Sequence, residues 1–522
     1  MAVFSFAAVY RGYRACRRRK RGTANAQRYE HRLLDHLVDT TQALQDRTYA
    51  PSRSLCFVAR QPKAREIHAA DFRDRVVHHV LVPRVEVLFE PVFIHDLYSN
   101  RVGKGTHAAV ERLAAFMRAV SGHGPGPGWF LQLDVRNFFN SIDLATLFGL
   151  VNRRLKKAVL QGRITSAEAH DLSWLPHVIL KQDFKTETRY RCSPAELARV
   201  PEHKRLTAAP PGKGLPIGNL TSQFLANVYL NELDQFVKHQ LKCRYFLRYV
   251  DDLILVDADP ERLRAWERVI EAFLAERLQL ALKPERILRP VTDGADFLGY
   301  IVRPHYRLVR RRVVGNLRAK LAAFAQGHVS ETSLRLPAAE LEQLRAQLAS
   351  YLGHFAHADA WRLAHSLFER HAWLGLIFRL RAGRLVPRWE PPGVTSLRSQ
   401  IVWFRRALPP AIPLVQIGNR VALFAPDLGL ALARAPWLGR WRGARPEARP
   451  GLTPGLSWPL SSITGLGRLL RQAGQAYAFI AEEGYLPGGL KRRVLRYLFT
   501  GTAPVVTLQP PVGEGLGERA QR

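Results

Sequence analysis

The chain has 522 residues, 78 of them Lys or Arg against 44 Asp or Glu, for a formal net charge of +34. That length exceeds one ordinary core and predicts two to four domains, while a hydrophobic content of 47% excludes a disordered polycation. A positive surplus of this size repels itself unless a polyanion neutralises it, so nucleic acid is the first expected partner and a small neutral substrate alone does not account for the charge.

Cys16, Cys56, Cys192 and Cys243 are not spaced as close pairs, so neither a disulfide framework nor a zinc site is expected. The apolar first nine residues precede Arg11, Arg14 and Arg17 to Arg21, the reverse of a secretory signal. No apolar run is long enough for a bilayer, and a cytoplasmic protein without membrane contact is expected.

Residues 1–60 read as a basic, helical N-terminal extension, with a helix through His31 to Val38. The run Arg17-Arg18-Arg19-Lys20-Arg21 is either a solvated face or a phosphate contact. Cys56 to Ala59 is strand-like and leads into Pro62-Lys63-Ala64-Arg65-Glu66-Ile67; Asp71 to Leu81 reads as a helix. Its adjacent His78 and His79 point to different sides, which disfavours a shared metal and leaves them structural or template-facing. Ser99 to His107 holds Arg101, Gly103, Lys104 and Gly105, and such glycines permit close backbone approach to a strand of nucleic acid. Gly122 to Gly128, alternating Gly with His or Pro, makes a turn.

Phe130 to Val135 alternates as a strand that delivers Asp134 at its end, ahead of Phe138-Phe139. Residues 150 to 213 hold a helical stretch and a polar, basic, partly flexible segment. Gly214 to Gln223 is a turn leading into an apolar helix, Phe224 to Phe236. Arg248-Tyr249-Val250-Asp251-Asp252-Leu253-Ile254-Leu255-Val256 places two carboxylates between strand-like runs, at the tight turn of a hairpin. Alone, an Asp-Asp pair is more often a soluble surface turn. Asp134 in the same kind of setting changes that reading, because three carboxylates can hold two metal ions ~3.5–4 Å apart for phosphoryl chemistry.

Together these blocks resemble a reverse transcriptase. Asp134 matches the first polymerase aspartate and Tyr249-Val250-Asp251-Asp252 the YxDD box, with Leu282-Lys283-Pro284-Glu285-Arg286 and Phe297-Leu298-Gly299-Tyr300 matching the last palm block and the primer grip. Leu215-Pro216-Ile217-Gly218-Asn219-Leu220-Thr221-Ser222-Gln223 is similar to the form found in diversity-generating retroelements and some bacterial defence enzymes, where intron and retroviral enzymes carry Gln at Ile217. The resemblance implies an α+β right-hand polymerase with fingers and palm over 61–310 and a helical thumb over 311–385, pivoting about Tyr351 to Ala358. It also implies the site residues. Asp134, Asp251, Asp252 and Lys283 are catalytic, with Asp134, the Val135 backbone, Asp251 and Asp252 holding two Mg2+, or Mn2+ in their place. Lys63, Arg65, Asn137, Phe138, Phe139, Ile217 and Gly218 meet the incoming nucleotide, Phe139 as the steric gate against a 2′-hydroxyl. Arg101, Lys104, Gly105, Ser222, Gln223, Tyr249, Leu298, Gly299 and Tyr300 meet template or primer. Lys283 is the proton donor to departing pyrophosphate, and Arg286 a charge clamp.

Arg388 to Gly393 opens a linker over 386–410. Residues 411–505 read as a small α/β domain, with two strands across Leu414 to Phe424, a helix Ile463 to Gln472, and strands Ala476 to Ala481 and Lys491 to Phe499; 506–522 read as a flexible tail. This order resembles the N-terminal mismatch-recognition domain of MutS, with Arg420 at the wedge phenylalanine and Ala422 at its glutamate. Arg420 is then a candidate contact for phosphate or groove, and a domain that merely docks RNA or a partner is an equal alternative. The expected function is RNA-directed DNA polymerisation on a dedicated template RNA with a DNA primer or target and dNTPs, error-prone at template adenines, alongside a small basic accessory protein. The alternatives are a phage-defence reverse transcriptase and a catalytically silent RNA-binding scaffold, which the retained aspartates disfavour.

Overall fold

A computed structural model describes residues 3–18, 20–60, 63–122, 128–381, 384–394, 396–408, 411–501 and 505. The expected glycine-proline turn (at 123–127), Pro62, Arg19 and the tail 506–522 lie outside the described residues. The chain forms two compact units, one on Met1–Leu298 with Val302–His305, the other on Gly299–Ile301 with Tyr306–Arg522. The fold is α+β. Among the described residues no helix is long and apolar enough to cross a membrane.

The first unit is built on a four-stranded antiparallel sheet in the order Tyr245–Tyr249, Asp252–Asp257, Trp129–Asp134, Ile287–Pro290. Its two central strands, PheLeuGlnLeu and LeuIleLeuVal, are buried by helices such as Leu220–Gln235 and Pro260–Leu278. A second sheet of three strands, in the order Arg65–Ala69, Ser54–Ala59, Thr188–Tyr190, carries the Lys63–Arg65 region. The helical stretch expected within residues 150 to 213 is present as helices Leu144–Leu160 and Ser166–Leu180, and the polar, basic segment after them contributes that third strand.

The N-terminal residues do not form a separate extension. Val3, Phe4, Val9 and Tyr13 share one core with Val76, Val77 and Val80 of the helix Phe72–Phe89. A Cβ on Gly12 would lie 2.9 Å from both Val76 O and Val80 Cγ2, so glycine permits the close crossing of the two helices. The helix expected through His31 to Val38 is interrupted at Arg32, between Ala24–His31 and Leu33–Gln45. There His36 stacks on Tyr29 and its Nδ1 lies 2.9 Å from the Tyr29 carbonyl, a tertiary contact that a straight helix would not permit.

The second unit differs from the sequence-based division. A seven-stranded sheet runs in the order Ser333–Arg335, Lys491–Phe499, Tyr477–Tyr485, Ile412–Ile417, Arg420–Phe424, Gly455–Pro459, Arg445–Glu447. Its first strand comes from the segment expected to be thumb, pairing Leu334 with Leu498. Helices Arg311–His328, Ala338–Phe355 and Trp361–Arg370 bury Leu321, Leu348 and Leu367 in the same core as Val415, Ile480, Val494 and Leu498. The expected linker contains the helix Leu397–Ala407 and Trp389, which is 1% exposed and whose carbonyl accepts from Leu495 N at 2.7 Å. Pro391-Pro392-Gly393 marks a turn inside a packed unit, and composition alone does not distinguish that from a boundary.

Candidate active site

The strand register brings the carboxylates together. Asp134, the last residue of its strand, pairs directly with Asp252, the first residue after the hairpin turn. The turn itself, Val250-Asp251, has Val250 at φ 56, a strained conformation for a β-branched residue. A buried network holds it there. Ser99 Oγ accepts from Val250 N at 2.9 Å, and Arg248 Nη1 donates to the Val250 carbonyl at 3.0 Å. Arg248 is fully buried and pairs with equally buried Asp234 through Nε–Oδ1 at 2.7 Å and Nη2–Oδ2 at 2.6 Å. Asn227 closes the network, its Nδ2 donating to the Ser99 carbonyl at 2.9 Å. Sequence reading missed Arg248, Asp234, Asn227 and Ser99 as the support of the turn. The available signal was an arginine inside an apolar strand, which needs a buried partner.

Electrostatics at the hairpin are unfavourable to three free carboxylates. Burial pushes Asp251 up to about 6, with the Asp134 charge adding to it. Burial, then Asp251 and Asp134, push Asp252 up to about 7. Lys283 and Arg65 both act the other way on each of them, which brings Arg65 within electrostatic reach of the pair. Lys283 Nζ bonds Asp134 Oδ2, and the Lys283 amide donates to the Asp134 carbonyl at 2.8 Å. Asp134 Oδ1 is buried without a hydrogen-bond partner. An orphaned carboxylate oxygen beside two carboxyls of raised pKa is a donor set suited to hard divalent cations.

The other expected nucleotide contacts lie on separate segments of the first unit. Arg65 begins the strand whose His68 amide donates to the Ile217 carbonyl at 2.9 Å. Gly218, at φ 126, approaches that strand so closely that a Cβ would lie 2.9 Å from Ile67 Cγ2. Lys63 is exposed nearby in sequence. Asn137 adopts φ 46 and starts the short helix Phe138–Ser141. Phe138 is buried, whereas Phe139 is only half-buried, edge-on to it at 5.4 Å, and its carbonyl accepts from Leu215 N at 2.8 Å. The Val135 amide is 3.4 Å from the Asp251 carbonyl.

Several expected template or primer residues are engaged internally. Arg101 is bidentate to Glu90 and donates to the Ile94 and Leu97 carbonyls at 2.8 and 3.2 Å. Lys104 donates to the His95 carbonyl at 2.9 Å beside Gly105, which caps the helix Thr106–Val120. Ser222 is buried while Gln223 is exposed. Tyr249 OH is 3.3 Å from Thr106 Oγ1. Arg286 pairs with Glu267 and Glu271. Leu298 and Gly299 have φ 50 and 95, and in the second unit Tyr300 stacks on His354 at 4.2 Å. Arg420 donates to the Ser457 hydroxyl and carbonyl and to the Gly443 carbonyl at 2.9, 2.7 and 3.0 Å, so its guanidinium is committed within its own sheet.

Residues 59–302 match the family model described as reverse transcriptase (RNA-dependent DNA polymerase). The group II intron-encoded protein LtrA of Lactococcus lactis subsp. cremoris is 27% identical over 207 residues, which cover 39% of this chain and 28% of LtrA's length. Protein YkfC of Escherichia coli K12 is 23% identical over 301 residues, 51% of this chain and 71% of YkfC. A telomerase from Candida albicans, solved with a fragment of telomeric RNA, overlays 62% of this chain and 60% of its own at a TM-score of 0.34 and 9% identity. The family match begins at the end of the strand Ser54–Ala59 and closes just past the primer-grip block, taking in all three aspartates. Over residues 59–302 the chain is therefore a reverse transcriptase domain.

Proposed function

We propose that the protein is an RNA-directed DNA polymerase that copies a dedicated template RNA into cDNA within a diversity-generating retroelement. The observation that carries this reading is the convergence of Asp134, Asp251 and Asp252 at one hairpin, with Arg65 acting on the same carboxyls. Asp134, Asp251, Asp252 and the Val135 carbonyl would hold two Mg2+, or Mn2+ in their place. Such ions supply acidity to the primer hydroxyl and neutralise the leaving pyrophosphate.

The chain's own residues do the rest. Lys63 and Arg65 hold the triphosphate, Arg65 as a planar fork matched to phosphate oxygens. The Phe139 ring occupies the space of a 2′-hydroxyl. Lys283, seated on Asp134, delivers a proton to departing pyrophosphate. Ile217 offers the base pair a branched apolar surface without a hydrogen bond, and ~1.4 kcal/mol less discrimination in the transition state is already a tenfold loss of selectivity. Misincorporation opposite template adenine follows as the retroelement reading.

Primer extension on a defined RNA with dNTPs tests both levels. Extension is expected from the wild type and not from Asp251→Asn, with RNA binding retained. Sequenced products should carry errors concentrated at template adenines. Extension by Asp251→Asn at the wild-type rate would overturn the metal assignment, and errors spread evenly over the four bases would move the reading to a defence polymerase.

A further inference from the structure

A second cluster lies in the three-stranded sheet of the first unit. Cys56 on Ser54–Ala59 pairs with His68 on Arg65–Ala69, and Glu66 stands two residues from His68, so all three side chains share one face. On the other side Cys56 pairs with Tyr190, and the Arg191 amide donates to the Cys56 carbonyl at 2.8 Å, which carries Cys192 alongside. Cys192 follows on the same edge and acts electrostatically on the Cys56 thiol, while its sulfur stands outside the tight group formed by Cys56, Glu66 and His68. Cys56, Glu66 and His68 are 0, 4 and 1% exposed, and their ligand atoms lie within 4.8 Å of one another.

The details favour a bound cation over a neutral polar cluster. His68 Nε2 is buried 3.3 Å from Glu66 Oε1, an ion-pair distance without hydrogen-bond geometry, and the Cys56 thiol donates to the same Oε1 at 3.7 Å. Ligands at Zn–S ≈ 2.3 Å and Zn–N or Zn–O ≈ 2.0–2.1 Å around a tetrahedral ion stand roughly 3.3–3.8 Å apart. The outer contacts orient the set as well. Thr188 Oγ1 donates to the Phe184 carbonyl at 2.7 Å and so presents a lone pair to His68 Nδ1 at 3.5 Å, while Ser54 Oγ is 3.3 Å from the same nitrogen. That assignment puts the imidazole proton on Nδ1 and leaves the Nε2 lone pair facing the cluster. The Leu206 amide donates to Glu66 Oε2 at 2.6 Å, which leaves Oε1 for the cluster.

We propose that Cys56, Glu66 and His68 form the preset part of a structural zinc site, which the neighbouring Cys192 thiol closes in to complete, tying the sheet carrying Arg65 to the segment following Thr188–Tyr190. Binding converts two thiols to thiolates and releases two protons, while Glu66 and the neutral imidazole complete four-coordination. The soft sulfur ligands select zinc over magnesium, so the ion is chemically distinct from those of the carboxylate site.

The test uses the full chain purified without chelator. Elemental analysis should find about one zinc per chain. Replacing zinc by Co2+ should give an intense thiolate-to-metal absorption band, lost in Cys56→Ser and retained in Cys243→Ser. In the wild-type protein, alkylation of partly exposed Cys192 should be slow until chelator is added. Re-adding magnesium should leave Cys192 reactive, and re-adding zinc should protect it again. Absence of zinc together with Cys192 labelling that ignores chelator would overturn the proposal, as would a cobalt band unchanged in Cys56→Ser.

Discussion

Arg248 shows how a single buried charge sets the geometry of the site. Its guanidinium neutralises Asp234 and also holds the carbonyl of Val250, the strained residue that turns Asp251 toward Asp134. Removing one member of a fully buried pair costs about 3–5 kcal/mol because the other charge is left without a partner, whereas removing both can be nearly neutral. Arg248→Met should therefore lower the urea midpoint strongly, and Arg248→Met with Asp234→Leu should recover most of the loss. Primer extension should stay low in both, since neither restores the bond to Val250. Recovery of extension in the double variant would show that the turn holds itself. His78 provides a separate residue-scale effect. Burial pushes its imidazole down to about 3, below the ordinary 6.5. Its contribution to stability is thus present above about 6.5 and lost as pH falls toward 3, because the unfolded chain takes up the proton first. Between pH 7.5 and 5.5 this amounts to about 1.4 kcal/mol. His78→Phe should lose that much less stability over the interval in urea denaturation, and equal slopes for the two proteins would assign the acid sensitivity elsewhere.

At the scale of elements, the strand Ser333–Arg335 decides how the second half of the chain is divided. It pairs with Lys491–Phe499, and the helices on either side of it bury their apolar faces against the same sheet. A chain ending at residue 394 would lose Val415, Phe424, Ile480, Val494 and Leu498 from that core and expose Leu334, Leu348 and Leu367. Each large apolar side chain returned to water forfeits about 1.5–3 kcal/mol. Truncation there is expected to give insoluble protein or a non-cooperative thermal transition by circular dichroism. A soluble fragment with a sharp transition and wild-type extension on a short primer-template would instead mark the C-terminal sheet as a separable module.

Over the whole molecule, the +34 charge has a direct consequence for binding. Neutralising six to ten phosphates releases their counterions and makes affinity fall about 10³–10⁵-fold between 50 and 200 mM salt on duplex, somewhat less on single strands. RNA binding measured by fluorescence anisotropy should weaken by at least about 10²-fold over that range, and a nearly flat salt dependence would mean that the basic surplus lies away from the RNA. The charge surplus, the Asp251-Asp252 hairpin and the strand ending at Asp134 were legible in the linear sequence because each is local: a charge sum, a pair of acids between strand-like runs, an alternation of apolar residues. In the last sheet the helix Ile463–Gln472 and the strand Lys491–Phe499 were also legible, for the same reason. What tertiary structure alone decided involves partners far apart in sequence. Arg248 finds Asp234, and Val250 finds Ser99, only when helix and loop meet the strand, Leu334 finds Leu498 across more than half the second unit, and Cys56 meets Tyr190 only through strand register. Local pattern fixes which residues can be buried or turned, whereas pairing register and shared burial fix which of them meet.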